Sequence, residues 1–369
     1  MSERLRIAAY IPELDGLRGI AIGSVLLYHC HERLHSSHLD VVAQWGWVGV
    51  NLFFVLSGFL ITGIILDSRG DPHFFRNFYA RRGLRIWPVY VLVLLLNYLF
   101  VPFIFGSFWW AVHEMRYAPW LHYIFFVQNL FFIALPGTIG PTWSLAIEEQ
   151  YYIFWAPIAR FLKNGILLPL LIAVFVASPF IRLANTGFLT PTHTLTHLDG
   201  LAIGSLIALA LRWFEFSRDA WRRIAAAGVF CGLSGVVMMI FHGSAFTDTL
   251  LALGFGGMLV AGLLVSGAGG LYSRFLTWGP LKFLGTVSYG LYMIHILCFV
   301  VIGAFDLRMA KYGLAGDLAI VGVRLTLSIS VATLMWYGFE RPILKLKKYF
   351  ISTHERPAPA QQPALVSAE

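Results

Sequence analysis

The stretch LDGLRGIAIGSVLLYH, residues 14–29, decides how this chain is to be read. It is apolar over most of its length, yet it holds Asp15 and Arg18 at one end and His29 at the other. His29 follows Arg18 by eleven residues, which on a helix returns close to the same face and sets the two side chains about 16 Å apart along the axis. Ionisable groups inside a membrane span are costly, and those that are kept face a protein interior or a wet cavity. The pair predicts a charged ligand held at one end of the helix and proton chemistry at the other.

Composition sets the frame for that reading. The 369 residues are 58% hydrophobic and 12% charged, against about 25% charged in a soluble domain. Together with a mean hydropathy of +0.72, this predicts an all-α polytopic membrane protein. The net charge of +8 does not call for nucleic acid, because the basic residues cluster in loops, as the cytoplasmic loops of membrane proteins do. Cys30, Cys231 and Cys298 have no metal or disulfide spacing and read as small core residues. The short charged N-terminus does not read as a cleavable signal peptide.

Apolar segments of spanning length fall near 15–34, 46–67, 84–105, 144–163, 165–183, 197–213, 222–241, 248–268, 282–304 and 317–339. An eleventh, 118–135, is ambiguous. Basic loops at Arg4/Arg6, Arg69–Arg85, Arg160–Lys163, Arg212–Arg223, Arg274–Lys282 and Arg341–Lys348 share one side only if an even number of spans separates Arg85 from Arg160. Residues 118–135 are therefore expected to be re-entrant or to lie at the outer surface. Pro119, Gln128, Asn129 and the turn from Pro136 to Pro141 fit irregular backbone lined by protein or water. The expected fold has about ten transmembrane helices plus this one segment, around a central cavity, with both termini cytoplasmic. Residues 73–85 are expected to form a surface helix, and 351–369 a disordered cytoplasmic tail.

That orientation puts Arg18, Arg82 and Arg85 toward the inside and His29, Glu148 and Asp199 toward the outside. Arg82 and Arg85 stand at i and i+3, so both guanidiniums can grip one anion, and their planar forks suit phosphate. In WSLAIEEQYY, residues 143–152, Ser144 is a candidate helix cap, and Glu148 and Glu149 point to different faces. Either Glu148 or Asp199 is a candidate to orient His29; both are also ordinary residues for a helix start. His295 reads as a structural or supporting residue. HERLH, residues 31–35, matches a zinc-protease pattern, and Leu198-Asp199-Gly200 an accompanying ligand motif. The first sits in a polar run, and the Leu-Asp-Gly triplet recurs at Leu14, so a metal site is not expected.

Taken in order, these motifs resemble the bacterial membrane-bound acyltransferase family 3. The resemblance is carried by LDGLRG (14–19) with His29 as an Arg-x10-His motif, GWVGVNLFFVLSGF (46–59), and FYARRGLRIWP (78–88) with Arg82 and Arg85. It continues through Trp143-Ser-Leu with Glu148, Leu198-Asp199, Gly285-x-x-Ser-Tyr-Gly-x-Tyr and Glu340-Arg-Pro. The resemblance implies a membrane acyltransferase domain over residues 1–350, an acyl-CoA donor, often acetyl-CoA, and a hydroxyl acceptor on a carbohydrate or lipid-linked molecule. It implies residence in the bacterial inner membrane, surrounded by lipid. Some family members carry a fused periplasmic esterase-like domain, which is not expected here. On the residues alone, a proton-coupled solute transporter and an intramembrane zinc protease are the competing readings.

Overall fold

The computed structural model describes residues 10–31, 34, 37–100, 120–131, 137–185, 187, 189–241, 243–267 and 269–350. Among them there is no β-strand, and ten α-helices have 16 residues or more. These are α1 (Pro12–His31), α2 (Val48–Asp67), α3 (Phe74–Leu95), α4 (Thr142–Phe161), α5 (Asn164–Ala184), α6 (Leu198–Trp213), α7 (Arg218–Ile240), α8 (Thr247–Val265), α9 (Gly279–Val301) and α10 (Gly313–Met335). Each overlaps one of the ten expected spans, although α3 begins ten residues before the expected 84–105. Seven helical stretches, containing α2, α3, α5, α7, α8, α9 and α10, are long and apolar enough to cross a membrane. Of the other three, α1 and α4 carry the ionisable residues, and α6 has 16 residues. The chain is thus a polytopic all-α membrane protein whose polar helices sit within the bundle, where their charges find protein partners instead of lipid.

Helix directions follow from close contacts. Gly285 of α9 faces the Asp15 carbonyl of α1 so closely that a Cβ would lie 1.9 Å from the oxygen, and His295 meets His29 farther along the same two helices. The two therefore run parallel. Likewise α2, α4 and α6 run parallel: Ser57 bonds Glu148, the Trp155 indole donates to Thr62, and Arg212 pairs with Asp67 at 2.6 Å. A Cβ on Gly204 would come within 2.0 Å of the Val55 carbonyl, so only glycine allows α6 to lie this close to α2.

The basic loops gather at one end of the bundle. Arg160 donates to the carbonyls of Arg69 and Asp71. Arg218 donates to the Leu264 carbonyl, and Ser266 reaches Glu13 at the start of α1. Lys347, Arg81 and Tyr10 line one basin. Arg4 and Arg6 lie outside the described residues. Between α3 and α4 the described residues of the ambiguous segment form only short helices, Trp120–Ile124 and Gln128–Phe131, with Phe126 between them at φ 53°. Gln128 and Asn129 are fully buried and donate to the Thr142 and Thr192 carbonyls, so this non-spanning backbone is lined by protein. Pro119, Pro136, Trp109, Trp110 and the tail 351–369 lie outside the described residues.

Two local expectations are corrected. Residues 74–85 are not a separate surface helix. They are the first three turns of α3, with Phe74, Asn77 and Phe78 buried. A helix tolerates Arg81, Arg82 and Arg85 in its course because a polar basin receives them. Ser144 is not a cap: α4 begins at Thr142, and the Ser144 side chain turns inward.

Candidate active site

Two cavities adjoin inside the bundle. The basic basin is lined by Tyr10, Asp15, Arg18, Arg81, Arg82, Arg85 and Lys347, with Trp336 and Phe78, and encloses about 1140 Å³ including its open mouth. Among the described residues, four arginines and Lys347 face the Asp15 carboxylate there, and burial beside those arginines pulls the Lys347 ammonium down to about 7. The second chamber, about 780 Å³ on the same measure, continues from Arg18, Arg82 and Arg85 to Ser57, Glu148, Tyr152, Ser144 and Tyr292. The three arginines and Leu60 line both cavities and stand at the boundary between them.

The sequence positions these groups simply. Arg82 and Arg85 lie one turn apart on α3. The Arg82 guanidinium stands 5.3 Å above the Tyr152 ring, and that of Arg85 is 5.8 Å from both Tyr289 and Trp336. Aromatic faces hold a guanidinium without consuming its donors, which leaves the fork available to an anion. Arg18 pairs with Asp15 at 3.1 Å. The Tyr10 hydroxyl donates to Asp15 at 2.7 Å, and this bond, with burial, pushes the phenol up to about 12, so it stays a neutral donor at the basin rim.

The chamber beyond is rich in hydroxyls. Glu148 accepts from Ser57 at 2.9 Å and from Tyr152 at 2.8 Å. The Tyr292 and Ser144 hydroxyls lie 2.6 Å apart, and both stand within reach of the Pro141 carbonyl, at 2.9 Å and 3.3 Å. Next to Tyr292, with ring centroids 6.0 Å apart, lies His295, and His295 touches His29 with centroids 4.8 Å apart. The His29 Nδ1 stands 3.0 Å from the Val25 carbonyl and 3.2 Å from His295 Nε2. From the other side Arg324 donates to the His29 carbonyl at 3.1 Å while pairing with Asp306 at 2.6 Å.

Of the residues singled out from sequence, Arg18, Arg82, Arg85 and Glu148 are brought to one cavity. His29 is placed one side-chain layer beyond Tyr292, and its ring meets His295. The two proposed orienting carboxylates have other partners. Glu148 is held by Ser57 and Tyr152. Asp199 pairs with Arg182 at 2.8 Å and accepts from Thr249 at 2.7 Å, in a buried cluster linking α5, α6 and α8. Sequence reading quoted motifs or loops that contain Ser57, Arg81, Tyr289, Tyr292 and Lys347 but gave none of them a part in the site, and it passed over the Arg324–Asp306 pair. Tyr289, Tyr292 and His295 stand three residues apart on α9, a spacing that marks one helix face. In the zinc-like run, His31 pairs with Asp40 at 3.2 Å, while Glu32 and His35 lie outside the described residues.

Comparison with known proteins places the chain among acyltransferases. The family described as "Acyltransferase domain" matches residues 11–337. The chain is 30% identical over 328 residues to the putative peptidoglycan O-acetyltransferase YrhL of Bacillus subtilis, covering 78% of this chain and 48% of that protein. It is 28% identical over 323 residues to the peptidoglycan O-acetyltransferase OatA of Listeria monocytogenes, covering 78% and 49%. With the O-acetyltransferase OatA of Staphylococcus aureus the identity is 28% over 338 residues, covering 82% and 53%. The chain therefore spans about half the length of the curated relatives it matches. No solved structure matches it.

Proposed function

Because this chain belongs to the acyltransferase-domain family, we propose that it moves an acyl group, acetyl in the simplest case, from acyl-CoA to a hydroxyl of a carbohydrate across a bacterial inner membrane. The observation that carries this reading is a basic basin that shares Arg18, Arg82 and Arg85 with a hydroxyl-rich chamber whose wall residue Tyr292 packs against His295, with His29 behind it. The basic end faces the cytoplasm, by the charge bias of membrane proteins. Acyl-CoA carries several phosphates on a bulky head and its thioester on a long flexible arm. Arg18, Arg82 and Arg85 hold the phosphates, and the arm passes between them toward the chamber. The acceptor enters from the opposite side. Relatives named for peptidoglycan make a cell-wall glycan the first acceptor to try.

His29 serves as general base for the acceptor hydroxyl. The oxygen attacks the thioester carbonyl carbon, the C–S bond breaks, and the thiolate takes up the proton that His29 received. An acyl-histidine intermediate is the alternative order of the same events and predicts ping-pong kinetics. Glu148, bonded to Ser57 and Tyr152, shapes the chamber wall through which the arm passes.

Vesicles of defined orientation, supplied with radiolabelled acetyl-CoA on the basic side and glycan on the other, test the reading. Covalent label on the glycan, lost in His29→Ala protein that still inserts, is expected. Solute accumulation without covalent label would replace transfer by transport.

A further inference from the structure

The two nitrogens of His295 have different neighbours. Its Nδ1 lies 2.7 Å from the Tyr292 carbonyl oxygen and 3.2 Å from that of Leu291. A carbonyl oxygen only accepts, so this nitrogen carries a hydrogen. His29 Nδ1 lies 3.0 Å from the Val25 carbonyl, so it carries a hydrogen too. Between the rings, His29 Nδ1 faces His295 Nε2 at 3.2 Å. With a hydrogen on the first atom, the second must be the acceptor. One assignment satisfies all four contacts: both rings are protonated at Nδ1, and His295 Nε2 accepts the His29 Nδ1–H, which is shared with Val25.

We propose that His295 is a positioning residue, an imidazole that fixes His29 in the tautomer whose Nε2 holds the lone pair. The inference rests on the reading of His29 as the base. It moves the orienting role from Glu148 or Asp199, the groups that sequence nominated, to a neutral ring. The surroundings suit this work. His295 is fully buried, with Phe299 edge-on at 5.6 Å, and Tyr28 lies edge-on to His29 at 5.1 Å. The nearby charges, Arg324 and Asp306, are paired with each other, and Arg324 holds the His29 backbone carbonyl. When His29 Nε2 takes the hydroxyl proton, its ring becomes a cation. The Nδ1–H bond to His295 then strengthens as a charge-assisted one, and it weakens again when the proton passes to the departing thiolate. No proton needs to travel through His295.

Protein labelled with 15N-histidine, in nanodiscs, reports the tautomer directly. Resonances are assigned by difference against His29→Gln and His295→Gln. The expected wild-type spectrum shows His29 with a protonated Nδ1 and a lone pair on Nε2. In His295→Leu this preference is lost, kcat falls by about 10–10²-fold, and KM for the donor stays put. The amide oxygen of His295→Gln accepts the same hydrogen and restores most of the rate. A wild-type His29 protonated at Nε2 overturns the proposal, and so do equal rates in the Leu and Gln variants. Should His295→Leu not insert, the wild-type spectrum decides alone. The expected tautomer in a protein that transfers no acyl group would keep the pair and remove the reading on which it was built.

Discussion

The two ends of α1 solve opposite problems with charge. Arg18 opens onto a basin where four arginines and Lys347 face the Asp15 carboxylate, whereas His29 sits against a ring and a paired arginine with its contacts supplied by protein. The first arrangement gathers like charges around a cavity; in the second the ring and backbone of His29 are held by protein groups. An excess of guanidiniums braced by aromatic faces is built to receive a ligand, while a ring with defined neighbours at Nδ1 is built to act on one. The proposed division of labour, recognition at one end of the helix and chemistry at the other, rests on this difference.

The sharpest way to break this comparison is at the chemical end. His29→Ala should lower transfer by about 10²–10⁴-fold while the protein still inserts, as measured in oriented vesicles; wild-type rates would remove chemistry from that end. Next in size is the support behind it. Arg324→Met leaves Asp306 buried without its partner and should cost about 3–5 kcal/mol, read as a lowered unfolding temperature in detergent. An unchanged unfolding temperature would mean the pair does not brace α1. At the recognition end, Arg85→Ala should remove about 2 kcal/mol of donor binding, a roughly thirtyfold rise in KM for acyl-CoA with kcat nearly kept. A fall in kcat at constant KM would merge the two ends. The smallest effect is expected away from both. Asp199→Asn keeps its side-chain volume and loses only the ion pair with Arg182, so it should cost about 1–2 kcal/mol of stability and leave kcat/KM of the folded protein unchanged. A loss of rate at wild-type stability would return Asp199 to the chemistry.

Much of the fold was legible because membrane burial writes itself locally. A long helix overlaps each of the ten expected spans, and basic loops among the described residues gather at one end of the bundle through contacts such as Arg160 with the Asp71 carbonyl. The exception is instructive. The first turns of α3 read as a surface helix because four arginines interrupt their apolarity, and only a basin formed by α1, α3, α9 and the segment after α10 makes that sequence an interior one. The candidate site was half legible. Arg18, Arg82, Arg85 and Glu148 were nominated by type and position and share a cavity. His295 was seen but given a supporting role without a partner, since nothing in its own helix says which ring it faces.

Sequence alone determined that this is a helical membrane protein, where its long helices fall, and that α1 carries a cation and an imidazole on one face, because hydropathy and helical period are properties of neighbouring residues. Which residue completes each of those groups was decided only by the tertiary structure. His29 and His295 lie far apart in the chain and meet because α1 and α9 run parallel at glycine-permitted distance, and Asp199 is drawn to Arg182 because α5 and α6 pack side by side. Hydrogen bonds reach about 3 Å, so partnership depends on which helices touch, a matter of packing between distant segments.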